Sequence, residues 1–286
     1  MRARHLIWAF LFCQFFLFSL AYAGEAYNLA KTNHQLDFFY QGVYLKMQEK
    51  FSNKNTTEEE GTLPFGGEVS YSYYDGADGY FYSHAWFSAL LGKTGYRDVN
   101  RKYGKSKHQF FQGALHIGLG YAEPKPPAPG FLLQGLASMY VYTGLGAFYW
   151  DRDVNQDYTQ KWLQFYFPFG VRLLFYVHSS LTSYLDVAGM LLHPSDIKIK
   201  LSELDPSYKD TTAKFKRWGY GLRIEWGMSY NLFGAFSLVL SSWWQYVEMK
   251  RSQPYMEVVG TVQTQKRYPK FYYHQFGLKV GFRISF

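Results

Sequence analysis

Cysteine is almost missing from this 286-residue chain: the only one is Cys13. No disulfide framework can therefore hold the rest together, and any exported fold must be closed by other means. Long apolar runs are missing too. Beyond the first residues, no segment reaches the ~18–20 consecutive apolar residues that a membrane-crossing helix needs. Charged residues make up only 18% of the chain, against 21% aromatics, which is an unusual amount of ring surface for a soluble domain. The first residues form the exception to the short runs. Arg2, Arg4 and His5 precede an apolar stretch from Leu6 to Leu20, and Ala21-Tyr22-Ala23 follows with small residues where a signal peptidase reads. Residues 1–23 read as a cleavable export signal, with 24–34 a short segment before the fold. Phe10-Leu11-Phe12 before Cys13 lacks the small residue that a lipid-attachment site requires.

The aromatic residues are ordered. From Phe276 to Phe286 one face reads Phe276, Leu278, Val280, Phe282, Ile284 and Phe286, and the other reads Gly277, Lys279, Gly281, Arg283 and Ser285. Period two means a strand between two different solvents. Trp218, Tyr220, Leu222, Ile224, Trp226, Met228 and Tyr230 repeat the pattern, with aromatics at both ends and aliphatics between. That is the profile of a strand crossing lipid with a ring at each interface. The 276–286 stretch resembles the terminal assembly signal of bacterial outer-membrane proteins. The resemblance implies an all-β fold, a single antiparallel transmembrane β-barrel, with the barrel-assembly machinery as a partner during biogenesis and the outer membrane as its place.

Similar runs at about 35–49, 62–74, 79–91, 108–121, 134–150, 159–177, 180–193, 215–230, 234–249 and 270–286 predict ten strands within a barrel of residues 35–286. Eight or twelve remain open, because the proline-rich 123–130 segment is long for a periplasmic turn. Short links at 75–78, 178–180 and 231–233 fit the periplasmic side, and the polar stretches 50–61, 92–107, 194–214 and 250–269 the outer side. The polar faces place Lys46, Glu68, His84, His116, Arg172, Asp186, Arg223, Glu225, Lys279 and Arg283 inside. A narrow lumen fills with side chains, and buried charges need partners, so an ionic plug is expected. The alternative is a small pore with anion preference from Arg172, Arg223, Lys279 and Arg283.

Catalytic patterns are sparse. His193-Pro194-Ser195-Asp196 holds the groups of a hydrolase triad, and Ser83-His84 resembles the serine and histidine of barrel lipid A deacylases, in surroundings that depart from that family. A barrel hydrolase acting on lipid A is thus a further alternative. The paired acids and rim Asp-His of omptin-type proteases are not matched. Gly104-Lys105-Ser106 ends like a phosphate-binding loop, but Val99 stands where its first glycine belongs. No cofactor, no metal and no catalytic residue is assigned. Glu58-Glu59-Glu60 lacks the turn glycines of a cation loop and reads as a solvated run. The net charge of +8 points away from nucleic acid in an exported chain and toward lipopolysaccharide phosphates. Lys93, Arg97, Arg101, Lys102, Lys105 and Lys107, in one basic loop, are the candidate contacts. The oligomeric state stays open.

Overall fold

The computed structural model describes residues 34–51, 55–75, 80–98, 103–122, 135–155, 157–178 and 180–286. The expected export signal at 1–23, all of the 24–34 segment except His34, and the proline-rich 123–130 segment lie outside them.

Ten strands close into one antiparallel barrel: β1 (His34–Lys50), β2 (Thr56–Tyr74), β3 (Phe81–Arg97), β4 (Tyr103–Ala122), β5 (Leu136–Val154), β6 (Tyr158–His178), β7 (Leu181–Leu192), β10 (Gly219–Phe233), β11 (Phe236–Met249) and β14 (Lys270–Ser285). Each pairs with its neighbour, β5–β6 completes the far side, and β1 pairs with β14 from Gln35↔Ser285 to Lys50↔Lys270. Closure satisfies every strand edge, which lipid would otherwise leave unbonded. The two ends meet at one rim, where the His34 N–H donates to the Phe286 carbonyl and the Phe286 N–H to the His34 carbonyl, each at 3.0 Å.

Alternation sets which side chains meet lipid. On β14 Phe276, Val280 and Phe282 are exposed, as is Phe286 just after it, while Gln275, Lys279 and Arg283 on the alternate positions are buried inside. The same holds on β1, where Phe38 and Tyr40 face out and Asp37, Phe39 and Gln41 face in.

The strands outrun the bilayer. A tilted crossing needs about 9–11 residues, and β6 has 21 and β4 has 20. Residues 56–61, 92–97 and 103–107, expected as outer loops, are therefore strand. Two insertions carry strands of their own. β8 (Asp196–Lys200) pairs with β6 and with β9 (Thr211–Lys214), and β12 (Pro254–Val259) pairs with β13 (Val262–Arg267) in a separate hairpin. A backbone bridge between Tyr208 and Val259 joins the two insertions. At the other rim, the 231–233 link is the end of β10, and the chain reverses at Gly234-Ala235. Gly234 has φ +52, a conformation that glycine reaches without a Cβ penalty.

Candidate functional site

The barrel interior concentrates the charged side chains. Lys279 on β14 reaches Glu68 on β2 at 2.5 Å and both oxygens of Glu225 on β10 at 3.1 Å. Arg223 donates to Glu225 at 2.8 Å, and its guanidinium lies over Trp86 at 5.0 Å and Trp243 at 4.4 Å. Three walls of the barrel are thus tied by one arginine, since Trp86 stands on β3 and Trp243 on β11. Arg283 grips Asp37 through Nε at 2.7 Å and Nη2 at 2.9 Å, the strong two-pronged form of such a pair. Arg172 meets Asp186 at 3.3 Å and stacks over Tyr184 at 4.6 Å, while the Tyr142 hydroxyl also donates to Asp186. Tyr184 donates to Glu225 at 2.9 Å and joins the two groups. Four carboxylates (Asp37, Glu68, Asp186, Glu225) thus face four cations (Arg172, Arg223, Lys279, Arg283), each with a partner. This is the condition under which burying them is tolerable.

His84 and His116 enter the same region, 5.5 Å apart between ring centres, and His116 stacks on Tyr142 at 4.6 Å. Neither Nδ1 has a hydrogen-bond partner among the described residues. The space beside them is a cavity of about 40 Å³.

Further along the same strands, Phe110, Phe148, Trp162 and Phe271 form an aromatic layer. Trp162 meets Phe148 edge-on at 4.7 Å and Phe271 at 5.0 Å. Beyond it, outside the lipid-facing band, lies a second ionic group. Arg152 donates to Glu59 at 2.8 Å, to Glu49 at 2.6 Å and to Gln160 at 2.9 Å. Tyr268 and Thr57 each donate to Glu49 at 2.8 Å, and Ser106 to Glu59 at 2.6 Å. The Trp150 indole donates to His108 Nδ1 at 3.0 Å, so a neutral ring carries its proton on Nε2, which stands 3.3 Å from Glu59. Burial alone would raise the Glu59 carboxyl, but Arg152 and His108 outweigh it and hold its pKa at about 2.

Of the ten residues expected inside, nine are there, and Lys46 is not. Lys46 points outward, exposed, 3.7 Å from Glu60. Its strand misleads because the inward face at that height is apolar as well, with Val43, Leu45 and Met47 buried. Asp37, Glu49, Glu59, His108 and Arg152 were missed. Asp37 shares the parity of Gln35 and Gln41 on β1, a signal that was available. Glu59 was hidden in a polar triplet that is in fact strand: Glu59 turns in, while Glu58 bonds Arg97 and Glu60 bonds Tyr44 on the outside.

The basic loop is likewise a β3–β4 hairpin. Lys93, Arg97, Lys105 and Lys107 stand on its outer face, Arg97 paired with Glu58 and Lys107 at 3.5 Å from Asp153. Arg101 and Lys102 lie outside the described residues. The two serine–histidine candidates do not assemble. Ser83 and His84 are consecutive on a strand and face opposite sides of the wall. Ser195 donates to Gln164 at 2.6 Å and accepts from Trp162 at 2.8 Å, whereas His193 Nδ1 lies against the Pro194 carbonyl at 2.6 Å.

No family model and no curated protein matches this sequence. Among solved structures it is similar to the outer membrane protease OmpT from Escherichia coli, at 9% identity over 89% of this chain and 97% of that one, with a TM-score of 0.53. It also matches the translocator domain of the autotransporter NalP from Neisseria meningitidis, at 10% identity over 100% of this chain and 97% of that one, with a TM-score of 0.44. At such identity the first likeness speaks for fold and leaves activity aside. The chain has the closed, ten-stranded antiparallel fold of the Gram-negative outer-membrane β-barrels.

Proposed function

We propose that this protein resides in the outer membrane as a barrel closed by its own side chains, and that it works at the surface, in contact with lipopolysaccharide. Its export would use residues 1–23 and its insertion the alternating face of β14. The observation that carries the closed interior is the mutual neutralisation of four buried acids and four buried bases around a cavity of about 40 Å³. A conducting lumen needs a continuous water path along its axis. Here Lys279 is shared between Glu68 and Glu225, and Arg223 is clamped between two tryptophans. The aromatic layer adds an apolar barrier across the same axis.

Planar-bilayer recording on refolded protein tests this reading. Folded insertion is verified first by heat-modifiable migration on gels. A silent membrane is expected. Stable conductance steps with anion preference would overturn the closed interior and make Arg172, Arg223, Lys279 and Arg283 the lining of a pore.

A further inference from the structure

Two features meet on the outside of β3–β6. The first is a groove of about 470 Å³ in the lipid-facing wall. Its floor is the cross-strand pair Gly113↔Ala147, and its banks are Phe87, opposite Gly113, and Phe165, opposite Ala147. The floor cannot be higher at Gly113, because a Cβ there would sit 2.8 Å from the Trp86 carbonyl oxygen. Phe111 and Tyr149 stand in the next row toward the outer rim, with ring centres 6.4 Å apart.

The second feature lies two rows further up the same strands. Lys93 and Lys107 are directly opposite each other in register, both pointing outward and exposed. Like charges facing across two strands destabilise a sheet unless something neutralises them. Lys107 has Asp153 at 3.5 Å, and the neighbouring Lys161 has Asp151 at 3.2 Å. Lys93 and Lys105 have no ion pair among the described residues. Above the apolar groove, beyond the row of Leu91, Gln109 and Asp151, the outer edge of the lipid-facing band thus carries cationic charge at Lys93 and Lys105 that no ion pair of the described residues balances.

We propose that this face seats one phosphorylated, acylated glycolipid of the outer leaflet. Its phosphate lies over Lys93, Lys105 and Lys107, and one acyl chain runs over Gly113 and Ala147 between Phe87 and Phe165. A phosphate supplies several strong acceptor oxygens for ammonium donors, and the groove removes the chain's methylenes from disordered lipid into a fixed contact. The proposal deepens the reading of lipopolysaccharide contact and rests on it. It does not depend on whether the interior conducts.

Native mass spectrometry of the full chain in maltoside micelles tests it, with bis-phosphorylated hexa-acyl lipid A as the probe and its dephosphorylated form as comparison. One lipid A is expected to remain bound. K93Q/K107Q should weaken it about tenfold, as should removing the phosphates, while K214Q at a distant exposed lysine changes nothing. A147L, which raises the groove floor, should weaken it too. A thermal readout separates binding from structural damage. Without lipid, K93Q/K107Q should stay close to the wild type in heat resistance, since the relieved repulsion offsets the lost Lys107–Asp153 pair; with lipid A present the wild type should gain more. If the double variant does not fold, K105Q carries the test. Equal retention by the charge variants, or equal retention of the dephosphorylated lipid, overturns the proposal. So does an A147L variant that breaks up a dimer while holding lipid A unchanged, which would make the groove an interface between copies. Conductance measured on the same preparations reports on the closed interior separately.

Discussion

Arg223 shows how a single side chain can carry a disproportionate share of the fold. Its guanidinium touches Glu225, Trp86 and Trp243 from three strands. Removing one partner of a buried ion pair costs about 3–5 kcal/mol, because the other charge is left stranded. Arg223→Ala is therefore expected to lower the temperature at which the folded band disappears from gels. An unchanged temperature would mean that Lys279 alone can neutralise Glu225. Glu59 offers a test with a definite pH sign. Its pKa is depressed to about 2 in the folded protein, against about 4.3 for an unfolded glutamate. The depressed value contributes stability that is fully present above about pH 4 and is lost as pH falls through about 2. Glu59→Gln should thus cost heat resistance at neutral pH, with the gap to the wild type closing near pH 2. A gap that persists there would assign the loss to packing.

Single elements differ in how openly the sequence announces them. β10 and β14 could be read directly, because their apolar and polar faces never exchange roles between Trp218 and Tyr230 or between Phe276 and Phe286. The outer halves of β2, β3 and β4 could not. Above the lipid band both sides of the wall meet water or a polar interior, so the two-fold contrast that marks a strand fades. Glu58, Glu59 and Glu60 then look like a loop although they alternate across a sheet. The central charges were readable for the same reason that β10 was: a charge amid an apolar stripe can only face inward. Their pairings were not, since Lys279 and Glu68 are 211 positions apart. The β12–β13 hairpin bonds to itself and leans on β9, adding nothing to the barrel ladder. Replacing residues 254–267 by a short glycine–serine link should leave heat-modifiable migration intact. Loss of the folded band would show that the hairpin is needed to close the wall.

At the scale of the whole molecule, the barrel is a membrane span with a further storey above it. Cys13 is the only cysteine, so in a Cys13→Ser background single introduced cysteines can map the boundary. Lys105→Cys, above the apolar band, should react on intact cells with a membrane-impermeant maleimide. Gly42→Cys, between Tyr40 and Tyr44 on the lipid-facing side of β1, should not. Labelling of both would put the band in the wrong place. The ten-strand closure and the orientation of the wall were both contained in the alternation pattern, whereas the height of the wall was not.

That height is uneven. β2 to β6 run for 17 to 21 residues, but β7, β10 and β11 stop at 12, 15 and 14. The top of the barrel is therefore bevelled, with the two insertions gathered toward the low side. A plain cylinder looks alike from every direction in the plane of the membrane and can spin there without effect. A bevelled one has a front and a back, so a neighbour arriving from one side meets tall sheet and from the other meets inserted hairpins. Compass direction within the membrane plane thus becomes a property that a neighbouring molecule can distinguish.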